Sequence, residues 1–241
     1  MNGIKNMNLI LTMAGKYSRF VNEGYKIPKY LLPWSNHTIL SEILFNITKD
    51  NIFKNIFLVA NKNDKNFIHQ ILHTMKYYNI QSENLIYIND TKSQCETALI
   101  SINEFSDKIS NKEPICFHNI DTILYKRNFE HVYECLIKYD GYIDIFTSNN
   151  HEYSYVLKDQ MFVRDIQEKI LISSTASSGF YGFANVDVFI ENYEDDYFSK
   201  TYRKMISNNK KVICGNLHDE NDTLVLGTPK EYFYLSTKNV F

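Results

Sequence analysis

An apolar run, Leu9 to Met13, breaks at Gly15 into a loop with Ser18 and Arg19, and a second cation, Lys29, stands directly after Pro28. The pattern describes a buried strand feeding a loop of backbone N–H groups, with a hydroxyl and two positive charges close behind. A loop of this kind suits a polyphosphate, because the amides at a strand-to-helix turn point outward toward negative charge. Arg19 can grip phosphate oxygens in a fork, while Lys29 acts as a point charge. Pro28 fixes the backbone ahead of Lys29, so the lysine can be aimed. Many α/β proteins carry a strand, a glycine turn and an arginine, so on this pattern alone phosphate binding stays one reading beside an ordinary turn.

The N-terminal half alternates strand-sized apolar runs with helical patterns. Strands are expected over 8–13, 55–60, 84–88 and 114–117, and helices over 41–49, 65–78 and 97–105. In the first of these helices Ile43, Leu44 and Ile47 fall at helical spacing, with Ser41 as the cap. Such alternation implies βαβ units and a parallel sheet. Ligands then gather at the carboxyl ends of the strands, where Gly15 and His118–Asp121 both fall. After Asp140-Gly141 the texture turns β-rich, with runs at 142–146, 153–158, 161–168 and 178–183 and a hairpin turn at Asp159-Gln160. Helices are expected over 197–207 and 229–237. The 241 residues show no repeat, low-complexity tract or linker, so 1–241 reads as a single unit.

Composition excludes several classes. A net charge of −2 gives no basic field for nonspecific nucleic-acid binding. The apolar runs fall far short of the roughly 20 residues that span a membrane. Met1 to Asn8 is polar and has no signal-peptide character, so a cytoplasmic protein is expected. Cys95, Cys116, Cys135 and Cys214 form no CxxC pair and no zinc set, and are expected as free buried thiols. His69 and His73 lie four apart on an expected helix but lack the HExxH context of a metal site.

Asp121 closes the run from Pro114. A carboxylate just past a buried strand can meet Mg²⁺ carried by nucleotide phosphates, or it can simply cap a turn. Glu168-Lys169, taken alone, reads as a solvated charge pair.

Met13-Ala14-Gly15-Lys16-Tyr17-Ser18-Arg19-Phe20, followed by Pro28-Lys29-Tyr30-Leu31-Leu32-Pro33, resembles the signature of the sugar-nucleotide pyrophosphorylases, a family of small nucleotidyltransferases. Their opening reads (M/A)-A-G-x-G-(S/T)-R-(F/L), then P-K-P-L-(I/L)-P. Two departures stand out: Tyr17 replaces the second glycine, and Tyr30 replaces the proline after the lysine. A tyrosine does not reach positive φ cheaply, so a looser loop is expected. Thr91 to Leu99 resembles the family's T-x-G-x-A-x-(T/A)-A-L segment, with Ser93 and Cys95 in place of small residues. Val163 to Lys169, Ile172-Ser173, Ala176 and Gly179-Phe180-Tyr181 resemble V-x-E-x-x-E-K, I-S, A and G-x-Y, while Leu226 to Glu231 resembles the closing G-T-P-x-(D/E). The likeness runs in order over about residues 8–235.

This resemblance implies an α/β, Rossmann-like (GT-A-like) fold: a mixed, mainly parallel sheet flanked by helices, with a β-rich second half. About 1–140 would bind nucleotide and about 141–241 the acceptor. It implies Mg²⁺-dependent transfer of a nucleoside monophosphate from a triphosphate to a phosphorylated small molecule, with pyrophosphate released. Arg19, Lys29 and Lys169 would be catalytic. Met13, Ala14, Gly15, Ser18, Arg19, Lys29, Gln94 and Thr97 would bind the nucleotide. Gln94 offers an amide able to donate and accept toward a base. Glu168, Lys169, Gly179 and Tyr181 would bind the acceptor, and Asp121 the metal. Many relatives place a second metal carboxylate just before the closing Gly-Thr, where this chain has Val225 and Leu226; either Asp222 or Asp219 substitutes from the loop, or Asp121 suffices with phosphates and water. The pair Asn119 and Asp121, in place of D-x-D, favours nucleotidyl over glycosyl transfer. CTP is the preferred donor, since small members of this type serve capsule and surface-polysaccharide precursors and one relative activates phosphoglutamine with CTP. A sugar 1-phosphate with UTP, dTTP or GTP is the alternative. An inactive nucleotide-binding regulator and a GT-A glycosyltransferase are the other classes in play. Tyr and Phe in the second half suit a homodimer face if exposed, and an aromatic content of 15% is equally consistent with core.

Overall fold

The computed structural model describes residues 5–238. β1 (Lys5–Met13) runs into the one-turn α1 (Ser18–Asn22), and a 3-10 turn at Lys29–Leu31 leads to the short hairpin β2 (Pro33–Trp34) and β3 (His37–Thr38). α2 (Ile39–Thr48) is capped by Thr38, whose Oγ1 accepts from the Ser41 N–H at 3.2 Å. Ser41 is therefore inside the first turn and is not the cap, because the Thr38 hydroxyl reaches its amide. β4 (Phe53–Asn61) passes through a 3-10 stretch, Lys62–Phe67, into α3 (Ile68–Tyr77), and then come β5 (Leu85–Ile88) and α4 (Gln94–Glu104). α4 starts three residues earlier than expected, because the Ser93 hydroxyl caps it.

β6 (Ile115–Asn119), β7 (Thr122–Leu124) and α5 (Phe129–Lys138) follow, then the β-rich part: β8 (Gly141–Thr147), β9 (Ser154–Asp159), β10 (Phe162–Glu168) and β11 (Thr175–Phe183). The chain closes with α6 (Val186–Glu191), α7 (Phe198–Ser207), β12 (Val212–His218), β13 (Thr223–Val225) and α8 (Pro229–Lys238). α5, α6, β12 and the two- and three-residue strands are additions to the sequence-based expectation.

Nine strands form one sheet in the order β5-β4-β1-β6-β11-β8-β12-β10-β9. The first four are mutually parallel. Beyond β6 the sheet is mixed: β11 runs antiparallel to both β6 and β8, β12 is parallel to β8, and β9–β10 is the antiparallel hairpin that turns at Asp159-Gln160. Parallel pairing thus dominates the N-terminal half, while in the second only β12–β8 keeps it, so the sheet is mixed and not mainly parallel as expected. β9 also meets β11 at Ala176↔Tyr155, so the far edge curls back on itself.

Side chains alternate across the sheet. Leu9, Leu11 and Met13 pack on one face with α2, and Ile10 packs on the other with Phe57, Phe117 and Phe183. The four cysteines are buried and free. Among the described residues no helix is long and apolar enough to cross a membrane. The register Met13↔Ala60 and Thr12↔Asn119 brings the carboxyl ends of β1, β4 and β6 to one edge, and the loops that carry polar groups leave from there.

Candidate active site

Two adjoining chambers open at that edge. The first, about 290 Å³, is lined by Met13, Ala14, Gly15, Tyr17, Lys29, Tyr30, Gln94 and Thr97. The second, about 310 Å³, is lined by Arg19, Glu152, Glu168, Lys169, Gly179, Tyr181 and Glu231. Gln94, Asn119, Asp121 and Tyr197 line both, so Asp121 stands at the boundary. Of the nucleotide set named from the sequence, Ser18 is exposed on α1 and lines neither chamber, and Arg19 faces the second chamber instead of the first.

Lys29 Nζ lies 2.7 Å from Asp121 Oδ2. Burial pushes the Asp121 carboxyl up, but the Lys29 charge and hydrogen bond outweigh it and hold the group below the usual carboxylate range. Just upstream, His118 is fully buried and desolvation lowers it to about 4. The imidazole is therefore neutral at physiological pH, and its Nε2 meets the Thr122 carbonyl at 2.9 Å, fixing the turn that presents Asp121. Gly179 forms the facing wall. Its φ of 88° is open to glycine, and a Cβ there would meet Asn119 Nδ2 at 2.8 Å.

The loop after β1 is tighter than expected. Tyr17 stands at φ 37°, ψ 36°, in the left-handed region, directly before α1. Its hydroxyl donates to Asp64 Oδ1 at 2.6 Å, and the Tyr30 hydroxyl donates to Asp64 Oδ2 at 2.9 Å. Asn61 adds a bond from Nδ2 to the Ala14 carbonyl at 3.0 Å. The two residues that depart from the family pattern are thus tied to one carboxylate.

In the second chamber Glu152 Oε2 lies 3.2 Å from Arg19 Nη2 and 3.4 Å from Lys169 Nζ. One carboxylate therefore bridges both cations across the mouth. Their attraction holds Glu152 below its ordinary range. Glu168 accepts from the Ser154 and Ser199 hydroxyls.

Asp222 does not help Asp121. It pairs with Lys126 at 2.9 Å and lines neither chamber. Glu231 is better placed. β13 pairs with β7, so Gly227 returns beside Asp121, and a Cβ on Gly227 would lie 3.6 Å from Glu231 Oε2 and 3.8 Å from Asp121 Oδ2. The missing side chain leaves room between two carboxylates. Thr228 also caps the first turn of α8: its Oγ1 accepts from the Glu231 N–H at 3.1 Å and donates to Glu231 Oε2 at 2.9 Å. Asp64 and Glu152 carry no motif signal in the sequence. Glu231 does, as the last residue of the closing element, though not as a metal ligand.

No family model matches the sequence, and no curated protein matches it significantly. Solved structures do match in fold. The nucleoside-diphosphate-sugar pyrophosphorylase from Vibrio cholerae RC9 aligns at TM-score 0.78 and 19% identity, over 96% of this chain and 99% of that one. The inositol-1-phosphate CTP transferase from T. maritima aligns at TM-score 0.73 and 12% identity, over 100% and 98%. This chain shares their fold. A UDP-glucose pyrophosphorylase complexed with UDP-glucose aligns at TM-score 0.71 and 14% identity, over 98% of both chains. The α/β class expected from the strand–helix alternation, and the mixed sheet implied by the resemblance, agree with a fold shared with these enzymes, and at such identities the likeness speaks for the fold alone.

Proposed function

We propose that the chain is a nucleotidyltransferase. One observation carries the reading: two adjoining chambers share Asp121, with Lys29 on one side and Arg19 and Lys169 on the other. The triphosphate takes the first chamber and the phosphorylated acceptor the second. An acceptor phosphate oxygen attacks the α-phosphorus, the bond from that phosphorus to the bridging oxygen breaks, and pyrophosphate leaves with the electron pair. The acceptor phosphate is already a nucleophile, so the protein needs only to position the two anions and neutralise their charge. Lys29 faces the α-phosphate, Lys169 brings in the acceptor phosphate, and Arg19 turns from Glu152 toward the triphosphate tail.

Asp121 and Glu231 are the residues that would hold Mg²⁺, a hard cation that takes one or two carboxylates and completes its shell with phosphates and water. When bound, it neutralises charge on the triphosphate. Glu231→Gln keeps a side-chain acceptor for the Thr228 hydroxyl and removes the charge. Its Mn²⁺ affinity, read by calorimetry, is expected to fall by about tenfold or more. Unchanged affinity would remove Glu231 from the site.

Both Arg19 and Lys169 must leave Glu152 when anions arrive. The pair is exposed, and exposed pairs contribute only about 0–1 kcal/mol. Glu152→Gln is therefore expected to lower KM for one or both substrates by roughly two- to fivefold with kcat little changed. A raised KM would make Glu152 a substrate contact.

CTP is the preferred donor and phosphoglutamine a candidate acceptor, with a capsule or surface-polysaccharide role, on the resemblance described above. A sugar 1-phosphate with UTP, dTTP or GTP is the second reading, favoured by the sugar-nucleotide enzymes among the structures of like fold. The test is a pyrophosphate-release screen of CTP, UTP, dTTP, GTP and ATP against phosphorylated sugars, amino acids and polyols. Triphosphate binding without release would make the chain a nucleotide-binding regulator. Free nucleoside diphosphate from a nucleotide sugar would make it a glycosyltransferase.

A further inference from the structure

We infer that Asp64 is a positioning residue for the first chamber: through Tyr17 and Tyr30 it holds in mutual register the two loops that carry Arg19 and Lys29. The inference rests on the proposed binding of a triphosphate there.

The local sequence aims Asp64 inward. β4 ends at Asn61, whose side chain accepts from the Asn63 N–H at 2.9 Å and starts the 3-10 stretch Lys62–Phe67. On that stretch Asp64 is wholly buried (0% exposed). A buried carboxylate is costly without strong partners. Its hydrogen bonds come from two phenols, one on each oxygen, and bonds to a charged acceptor are stronger than neutral ones. Burial holds the Asp64 carboxyl above its ordinary range, and the bonds from both phenols offset only part of that rise.

Each phenol belongs to a different phosphate-facing loop. Tyr17 immediately precedes Ser18 and Arg19. Tyr30 directly follows Lys29 in the 3-10 turn, and its side chain is fully buried. Left-handed backbone at a non-glycine residue persists only where the surroundings enforce it. Here the Asp64 bond pins the side chain, while the Tyr17 carbonyl accepts from the Phe20 and Val21 N–H groups at 2.9 and 3.2 Å. Without Asp64 the loop after β1 is free to relax away from φ 37°, and Arg19 moves with it. The 3-10 turn bearing Lys29 loses the same anchor.

The probe is inorganic tripolyphosphate, titrated by calorimetry into the whole protein, because it reports on the phosphate-facing loops without needing the base. The expected result is wild-type binding that weakens about tenfold in Tyr17→Phe, the loss of one bond to a charged acceptor. Tyr17→Phe keeps the ring and its packing but leaves one Asp64 oxygen unpaired, so its melting temperature should fall by several degrees while the protein stays folded at the assay temperature. Asp64→Asn should weaken binding at least as much, and adding Tyr17→Phe to it should cost little more, since the bond is already altered. Wild-type affinity in Tyr17→Phe overturns the positioning role and leaves the proposed function standing, even if Asp64→Asn fails to fold. A wild-type protein that does not bind tripolyphosphate overturns the phosphate reading of the chamber, and this inference with it. A lower melting temperature with unchanged affinity makes the triad a stabilising contact only, and also overturns it.

Discussion

Lys29→Ala is expected to lower the rate of pyrophosphate release by about 10²- to 10³-fold, the scale on which one preorganised charge donor acts on a transition state. Lys29 is the cation nearest the boundary of the two chambers, its side chain is only 15% exposed, and its Nζ already engages Asp121 at 2.7 Å. A charge held in such a place needs no reorganisation when negative charge moves from the α-phosphorus to the leaving oxygen. Asp121→Asn should cost at least as much, because the carboxylate stands at the boundary opposite Lys29 and beside Glu231. The two losses should not add, since each residue orients the other. Lys29→Arg is a poor substitute, because a planar fork does not fit a socket shaped for a compact ammonium. Circular dichroism and melting should change little in Lys29→Ala, as Asp121 is partly open to solvent. Near-normal turnover in Lys29→Ala would remove it from the chemistry.

What the sequence showed, and what it hid, follows from the range over which each signal acts. β1, β4 and β6 are apolar runs closed by a break, so their presence and the shared edge where they end were readable. Asp121 was readable for the same reason. α5 carried the usual signals, an Asn128 cap and buried Phe129, Val132 and Leu136 at helical spacing, yet no helix was expected there. β2, β3, β7 and β13 are too short for any periodicity to register. The side chains that complete the site were hidden for another reason. Arg19 and Glu152 are 133 residues apart and Tyr17 and Asp64 are 47 apart, so only the folded chain pairs them. Tyr17 read as a weakness because the sequence displays the backbone cost of a tyrosine and conceals the partner that offsets it. Glu231 read only as the last residue of the closing element, and the return of β13 beside β7 is what brings it next to Asp121.

Arg127→Met is expected to destabilise the protein by about 3–5 kcal/mol, the range for breaking one side of a buried ion pair. In a chain of this size that lowers the melting temperature by roughly 10 °C. Arg127 and Asp144 are nearly inaccessible, with side chains 3% and 2% exposed. The guanidinium uses every edge it has. Nε and Nη2 donate to the Asp144 carboxylate at 2.8–3.2 Å, Nη2 also reaches Thr223 Oγ1 at 2.6 Å, and Nη1 donates to the carbonyls of Asp222 and Tyr125 at 2.6 and 2.9 Å. Those partners belong to β8 of the main sheet and to the segments that form the β7–β13 ribbon. The end of the ribbon away from Arg127 carries both Asp121 and Gly227. Met fills much of the volume but leaves Asp144 buried with its charge unmatched, and removes three bonds from the ribbon. Arg127→Met with Asp144→Leu removes the stranded charge, so it should regain much of the melting temperature. Turnover should stay low in that double variant, because an apolar pair cannot hold the carbonyls that fix the ribbon and hence the boundary where Asp121 stands. A melting temperature within a degree or two of wild type in Arg127→Met, or full activity in the double variant, would show that the ribbon keeps its place without the arginine.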